Sequence, residues 1–463
     1  MPTMNKKTSR PAAAEPRRQD GGFLNALGRL MAESSWVALG EGKRSRRGRK
    51  PELPLPTLFK ALLFHFLLPC GTVAEHLCQL FGVRRAESTL SERRQALAWP
   101  WFERLLRLAL RPMADTQRDR AAFWRGWRLL AWDGTQFSLT NTPQNQKHVR
   151  KAASRRRASA WGKVTAVVLL ELGLHNPVAV AIGCRGQSEY ALTQHLLAAL
   201  LPQALLLADR LTGCPAMLYG VYGQLLALGS HFLVRVRKNF VVLKRQRLAD
   251  GSCLIEVAVR HRRYQHQTLA TFTVREIVVQ AYRHGFRTET IRLWTSLLDP
   301  ATAPALELAE LYTRRWEQEL YFRQMKLELR KSEVLQSHTP ETGAQEIALL
   351  VLATALLAQE RARAAAGQLP ALEVSFLKCL ELLRPLWLLC ALAGTVLTPK
   401  QWQAVEAVFY RHIQACRKPK RRHRSCTRAV RQPVKGWPRL LKPKYACGPW
   451  KYSIVTHQAR KSR

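Results

Sequence analysis

One short segment carries the side chains that could hold a phosphate and a metal ion together. Tyr312, Arg315, Glu319 and Lys326 lie within LYTRRWEQELYFRQMKLEL. At about 100° per residue, a regular helix over 311–329 places all four within roughly a 60° arc. A carboxylate between cations suits a metal ligand beside phosphate-binding groups. The alternative is a solvated helix face with an Arg315–Glu319 pair, worth roughly 0.2–0.5 kcal/mol.

Two aspartates follow runs of apolar residues. Asp133 comes after LLAW and Asp209 after LLLA, so we expect each at the carboxyl end of a buried strand. Two carboxylates at one sheet edge repel each other unless a cation pairs with them. Mg²⁺ prefers such oxygens, and two ions about 3.5–4 Å apart promote phosphoryl transfer. With Glu319 as the third acid, the pattern predicts a catalytic metal site. The alternative for each acid alone is a cap or turn residue, since Asp133-Gly134 is a common turn pair.

Changes in the hydrophobic period predict the elements that would bring these acids together. From residue 128 onward the order reads β-β-β-α-β-α-β, with segments at 128–139, 163–174, 177–184, 188–201, 203–211, 215–229 and 231–238. Residues 239–300 read as short β-like pieces, and 55–110 and 340–410 have helical patterns. The sequence therefore predicts a mixed fold of the α/β (α+β) class.

The charge of the chain predicts a polyanionic partner. Its 463 residues include 74 Lys and Arg against 32 Asp and Glu, a net charge of +42. Nucleic acid is the favoured partner, and a membrane surface is the weaker alternative because no apolar anchor adjoins the charge. Residues 411–463 hold 17 Lys and Arg and no acid, which favours phosphate contact over a merely solubilising role. Arg93 and Arg94, on a predicted helix, are candidate DNA contacts, the alternative being a plain helical bundle with a cationic exterior.

The sequence lacks several other kinds of signal. The first 22 residues have no apolar core of a signal peptide, and no run of about 18 uncharged apolar residues is present. The ten cysteines form no C-x2-C pair, and the histidines form no H-x-x-x-H pair. We therefore expect a cytoplasmic, nucleoid-associated protein with reduced thiols and no zinc site.

These motifs together resemble those of DDE transposases of the bacterial insertion-sequence type. Tyr312, Arg315, Glu319 and Lys326 match the Tyr-x2-Arg-x3-Glu-x6-Lys signature of one branch without a gap. WDGTQF resembles the segment around the first aspartate of the family, and LLADRLTG resembles the second, which assigns Asp133 and Asp209. The likeness covers roughly residues 128–330. It departs from the family where Leu-Thr, rather than Gly and an aromatic residue, follows Asp209-Arg210.

The resemblance implies a ribonuclease-H-like core that binds two Mg²⁺ or Mn²⁺ ions through Asp133, Asp209 and Glu319. It implies cleavage of double-stranded DNA at the ends of a mobile element and joining to target DNA, by a homodimer that pairs two ends. Further roles are expected for five side chains. Arg315 and Lys326 would bind phosphates, Tyr312 would bind a phosphate or orient Glu319, Arg210 would contact DNA or pair with an acid, and Trp294 would stack on a flipped base or lie in the core.

The predicted organisation has six parts. They are a basic arm at 1–22, a helical DNA-binding domain at 23–125, the first part of the core at 126–238, a β-rich insertion at 239–302, core completion at 303–410 and a basic tail at 411–463. Three alternatives stay open: a catalytically inactive, transposase-derived DNA-binding protein, a nuclease for RNA–DNA hybrids, and a structural nucleoid protein. A metal-dependent cleavage assay tests the first alternative, and offering DNA end fragments beside an RNA–DNA hybrid tests the second.

Overall fold

The structure is a computed structural model that describes most of the chain between residues 53 and 455. The described residues are 53–68, 70–149, 161–183, 186–237, 240, 242–261, 267–282, 288–330, 334–393, 396–418, 424–425, 445–446 and 450–455. The predicted basic arm, the cationic segment 41–50 and most of the predicted basic tail lie outside them.

A mixed sheet of 12 strands in the described part of the chain organises the protein. Its first half has the order β4-β3-β2-β5-β6. The pairs β2–β3 and β3–β4 are antiparallel, whereas β2–β5 and β5–β6 are parallel. The strands are β2 (Trp127–Leu139), β3 (Lys163–Glu171), β4 (Asn176–Ile182), β5 (Ala204–Ala208) and β6 (His231–Arg235), with β1 (Phe123–Trp124) paired to β2.

The predicted β-rich stretch extends this sheet rather than forming a second one. Beyond β6 the order continues β10-β9-β8-β7, with antiparallel pairing throughout. These strands are β7 (Val242–Arg247), β8 (Cys253–Arg260), β9 (Thr268–Tyr282) and β10 (Glu289–Thr295). Short strands complete the set: β11 (Val334–Leu335), β12 (Arg424–Ser425), β13 (Tyr445–Ala446) and β14 (Lys451–Ile454).

Helices cover both faces of the sheet. Among the described residues, four precede it: α1 (Leu55–Leu67), α2 (Val73–Phe81), α3 (Glu87–Gln95) and α4 (Trp99–Ala109). Five lie among or just after the strands: α5 (Pro143–His148), α6 (Glu189–His195), α7 (Pro215–Ala227), α8 (Ala305–Tyr312) and α9 (Trp316–Arg323). Three follow: α10 (Pro340–Ala365), α11 (Phe376–Ala393) and α12 (Pro399–Ala415).

Two apolar clusters form the core, one on each side of β2. Leu129 and Ala131 face a cluster that joins α1–α4 to α10–α12. Leu130 and Trp132, on the opposite side, face α6 and α7. This alternation is the period of two that a strand requires. The N-terminal helices therefore share a core with the C-terminal helices instead of packing only among themselves.

Helix α10 lies at the centre of the first cluster. By length and composition it could cross a membrane, but 89% of its most apolar window is buried inside the protein. The mixed α/β class is confirmed. The predicted order of residues 128–238 is confirmed except for helix α5, which lies between β2 and β3 and was not predicted.

Candidate active site

Asp133 lies within strand β2, not at its end. The prediction that the strand stops at Asp133-Gly134 was wrong, because β2 continues to Leu139 with β3 paired along it. On its other side β2 pairs with β5 as far as Ala131 and with β11 from Ser138, so the edge next to Asp133 has no partner strand in the described part of the chain. The Asp133 side chain is 18% exposed there. Pairing with β3, rather than local turn preference, determines this conformation.

Asp209 directly follows β5, as predicted. Its Oδ1 accepts a hydrogen bond from the Leu211 N–H at 2.9 Å, and its carbonyl accepts one from the Gly213 N–H at 3.1 Å. These bonds form the turn into α7. Because β5 is parallel to β2 and ends beside Ala131, Asp209 lies near Asp133 at the same edge of the sheet.

The segment that carries Glu319 is helical throughout but not a single regular α-helix. Between α8 and α9 it contains a 3₁₀ turn at Thr313–Arg315, and a π-helical stretch follows at Gln324–Arg330. The expectation of one α-helix over 311–329 was therefore wrong, and the arc calculated from 100° per residue does not apply. Single π turns in helices are common at functional sites.

One guanidinium group joins two of the three acids. Arg315 Nη1 lies 3.2 Å from Asp133 Oδ2, and Arg315 Nη2 lies 2.6 Å from Glu319 Oε1. The Arg315 and Glu319 side chains are 16% and 37% exposed. Asp133 on β2 and Glu319 on α9 are far apart in sequence, and the single Arg315 side chain thus bridges them.

The electrostatic environment of Asp133 favours its protonated form. Burial and then the charge of Asp209 raise the pKa of Asp133 to about 7, although Arg315 opposes both effects. A carboxyl group beside another carboxylate in a half-buried site is stabilised in its charged form by a nearby cation, here Arg315.

Tyr312 supports the site from beneath. It is 7% exposed, and its hydroxyl donates a hydrogen bond to the Ala208 carbonyl at 3.2 Å. The predicted contact with a phosphate does not fit this burial. Tyr312 instead links α8 to the end of β5, next to Asp209. This hydrogen bond is made to the Ala208 carbonyl and not to Glu319.

Two further cations of the site, Lys326 and Arg210, lie where a polyanion could reach them. Lys326 Nζ donates to the Gln136 carbonyl at 2.8 Å and lies 4.7 Å from the Phe137 ring centroid. Arg210 is 54% exposed and lies 3.9 Å from Glu289, so pairing with an acid and contact with DNA are compatible.

Two predicted DNA contacts are corrected by the structure. Trp294 is 0% exposed, and its indole N–H donates to the Glu276 carboxylate at 3.1 Å, so a base cannot reach its ring and the core alternative holds. The Arg94 guanidinium is occupied within the protein, donating to the Thr342 carbonyl at 2.7 Å and to Ser337 at 3.1 Å. Its neighbour Arg93 is half-buried on α3.

Comparison with known proteins identifies the family. The profile described as "Transposase DDE domain" matches residues 124–356, half of the chain. The chain belongs to the DDE transposase family.

Relatives of this family member include the transposase InsG for insertion sequence element IS4 of Escherichia coli strain K12. The two are 26% identical over 233 residues, which is 50% of this chain and 51% of the relative. The chain thus spans about half the length of the curated relative that it matches. A cryo-EM structure of the piggyBac transposase synaptic complex with hairpin DNA aligns with 85% of this chain and 86% of its own, at 11% identity and a TM-score of 0.42.

The carboxylates of this DDE-family chain suit Mg²⁺ or Mn²⁺ in chemistry, since hard divalent ions prefer such oxygens. Within the described residues, no three acidic, imidazole or thiol groups already stand together as metal ligands. Asp133 and Glu319 instead converge on Arg315, which occupies the space between them. Metal binding through both acids requires this guanidinium to release at least one of them.

Two residues near the site were missed by the motif analysis. Glu189, at the start of α6, lies against Gly134 on β2. Trp316, next to Arg315, is 57% exposed and presents an aromatic surface at the start of α9. Neither position has a spacing signal in the sequence, because both depend on which elements pack together.

Proposed function

We propose that the chain is a transposase that binds the terminal inverted repeats of an insertion sequence, cleaves DNA at the element ends and joins those ends to target DNA. The observation that carries this proposal is the Arg315 bridge between Asp133 and Glu319, with Asp209 at the same sheet edge, in a chain of the DDE family. Double-stranded DNA is the proposed partner, and the high positive charge supports it.

The proposed core is ribonuclease-H-like. Its support is the strand order β4-β3-β2-β5-β6, with two antiparallel and two parallel pairings and with acids on the central strand β2 and just after its neighbour β5. The six-part organisation proposed from the sequence accompanies it: the arm (1–22), the helical DNA-binding domain (23–125), two core segments (126–238 and 303–410), the insertion (239–302) and the tail (411–463).

We assign Asp133, Asp209 and Glu319 as ligands of two divalent ions. Such ions would supply activation of the attacking hydroxyl and neutralisation of charge on the leaving oxygen. Arg315 and Lys326 hold the phosphates that flank the scissile bond, and no covalent bond forms between the protein and DNA. Tyr312 positions the end of β5, and Arg210 contributes a further cation at the rim. A homodimer would pair two element ends.

The test uses DNA fragments that carry the inverted repeats flanking the gene. Asp133→Asn, Asp209→Asn and Glu319→Gln should each lower Mg²⁺-dependent cleavage by about 10³-fold or more, because each removes a ligand charge. Binding measured by gel shift should stay equal or become slightly tighter, since a negative charge is lost near phosphate.

Glu307→Gln is the matched control. Glu307 lies in the same helical region, is 46% exposed and pairs with Arg125 on the protein surface. Its cleavage rate should equal that of the parent. If an acid variant of the triad cuts at the parental rate, that residue is not a ligand. If the parent itself binds the ends but never cuts them, the inactive DNA-binding alternative is correct.

A further inference from the structure

The turn that joins β3 to β4, residues 172–175, contacts the helix that carries Glu319. The Gly173 N–H donates a hydrogen bond to Glu317 Oε2 at 2.7 Å. Glu317 precedes Glu319 by two residues on α9, and two residues turn an α-helix by about 200°. The two side chains therefore leave the helix in nearly opposite directions, so the β3–β4 turn contacts the face of α9 opposite Glu319.

A second hydrogen bond joins the same turn to the end of α9. His175 Nδ1 lies 2.9 Å from Gln324 Oε1, both side chains are buried, and Gln324 begins the π-helical stretch. Burial, and then the charge of Arg361, lower the pKa of His175 to about 3, so the ring is neutral. Because an amide oxygen only accepts, Nδ1 carries the ring hydrogen and donates it. The neutral ring forms no ion pair with Glu317, whose Oε2 lies 3.8 Å from Nε2.

The β3–β4 turn is itself held by other parts of the chain. Gly173 has a φ of +81°, and a Cβ built on it would lie 2.7 Å from the Ala121 carbonyl, so only glycine fits there. Glu171, which ends β3, is fully buried and accepts hydrogen bonds from the N–H groups of residues 113–114 and from Asn176 Nδ2 at 3.0–3.1 Å. A turn held in this way can fix the orientation of α9.

The direction of Glu319 depends on how α9 is held. Its carboxylate is 37% exposed and contacts Arg315, which must release at least one of its acids when a metal binds. We propose that the β3–β4 turn positions Glu319 for metal binding, and that Glu317, His175 and Gln324 are positioning residues that act through α9. The inference rests on the proposed function, because it assigns these residues to the orientation of a metal ligand.

Mn²⁺ titration of the full chain tests the proposal, with free Mn²⁺ followed by electron paramagnetic resonance. Gln324→Met keeps the side-chain length and the net charge but removes the acceptor of the His175 N–H. It should weaken Mn²⁺ binding about 10-fold, the lower end of the range for groups that orient metal ligands. The Mg²⁺ concentration that half-saturates cleavage should rise by a similar factor, while gel-shift affinity for element ends stays that of the parent.

Gln345→Met is the matched control, because it makes the same substitution at another buried, hydrogen-bonded helix position. Gln345 lies on α10, where it accepts from Arg94 and donates to the Leu97 carbonyl. Both variants should lower Tm, since each leaves buried polar groups unpaired. Only Gln324→Met should weaken Mn²⁺ binding. An equal loss of Mn²⁺ affinity in Gln345→Met would indicate general loosening of the fold and overturn the proposal.

The Glu319→Gln background separates action through Glu319 from action elsewhere. There, Gln324→Met should change Mn²⁺ affinity less than about 2-fold, because the residue that it positions is no longer a ligand. Glu317→Met, which removes the acceptor of the Gly173 N–H, is the second variant and should show the same coupling. A loss of the same size in both backgrounds would mean that these residues do not act through Glu319.

The failures of the two proposals are distinguishable. If Gln324→Met and Glu317→Met bind Mn²⁺ as tightly as the parent while Glu319→Gln binds it weakly, the positioning role is overturned and the proposed function stands. If Glu319→Gln itself binds Mn²⁺ as the parent does, the metal role of Glu319 is overturned, and the positioning proposal with it.

Discussion

Arg315 organises the site because it is the cation that contacts both a strand acid and a helix acid. A guanidinium group offers donors in a planar fork and stays charged at any ordinary pH. Its contacts with Asp133 and Glu319 hold the two carboxylates at a fixed separation. The same fork can bind a phosphate bidentately. Arg315 is thus suited to release Asp133 or Glu319 and to bind a DNA phosphate instead when these carboxylates bind a metal.

Lys326 should give DNA binding a pH dependence of its own. Burial, and then the nearby Lys163 and Arg330, lower the pKa of Lys326 to about 8. The ammonium is therefore charged below about pH 8 and neutral above it, so its attraction to phosphate is lost as pH rises. Bound phosphate would raise this pKa, which moves the loss to a somewhat higher pH. We expect affinity for element ends to fall about 3-fold between pH 7.5 and 9.

Fluorescence anisotropy with labelled element ends measures this effect. Lys326→Arg is the control, because a guanidinium stays charged over the whole range, and its affinity should vary less with pH. Coincident pH profiles for the parent and Lys326→Arg would show that Lys326 does not contact DNA.

The sequence predicted some residues of the site and not others for a physical reason. Asp133, Asp209 and Glu319 each follow a local pattern, either an apolar run or a helical spacing, and the structure brings Asp133 and Glu319 onto one arginine. Glu189 has no such pattern, since its position depends on how α6 packs over Gly134. Trp294 was ambiguous because an apolar strand does not reveal which of its faces is covered.

At the scale of the elements, helix α3 is anchored to α10 by Arg94, a residue that the charge pattern predicted to contact DNA. The Arg94 guanidinium donates to Gln345, Ser337 and the Thr342 carbonyl, and Gln345 returns a hydrogen bond to the Leu97 carbonyl at 2.8 Å. Burial lowers the pKa of Arg94, and Glu346 opposes this effect. This network fixes the N-terminal helices on the helix at the centre of the core.

Arg94→Ala should therefore destabilise the protein rather than weaken DNA binding directly. It leaves several partly buried acceptors unpaired, and we expect a loss of about 2 kcal/mol in the free energy of unfolding. Chemical denaturation followed by circular dichroism measures it. Arg93→Ala provides the neighbouring comparison, with stability near that of the parent and a small loss of affinity for DNA. Equal stability of the two variants would contradict the anchoring role.

Element boundaries were predicted well where hydrophobic runs are long and poorly where tertiary pairing overrides local preference. Strands β3 and β6 and helix α7 begin at or within a residue of the predicted positions. Strand β2 passes through Asp133-Gly134 because β3 pairs with it there, which no turn preference reveals. The 3₁₀ turn before α9 and the π-helical stretch after it lie where Tyr312 and Lys326 contact the sheet.

At the scale of the whole molecule, the C-terminal segment combines a high charge with attachment to the sheet. Residues 411–463 carry 17 cations and no acid, yet β14 pairs with β9 from Val279 to Tyr282. Strand β8 pairs with the earlier half of β9 as far as Glu276, so β14 covers backbone that β8 leaves open. Charge and structural attachment can therefore be separated by substitution, whereas truncation would remove both.

Neutralising tail cations should alter the salt dependence of DNA binding without altering stability. Replacement of Arg421, Arg422, Arg424 and Arg428 by Gln removes four charges and leaves β14 in place. Removing one phosphate-bound cation should lower the slope of log K against log salt by about 0.9, so the largest expected change is about 3.6. Truncation after Lys418 should lower the slope further and also lower Tm, because β9 loses its partner strand. An unchanged slope in the four-site variant would show that other cations bind the phosphates, whereas a fall in its Tm would assign these arginines a structural role.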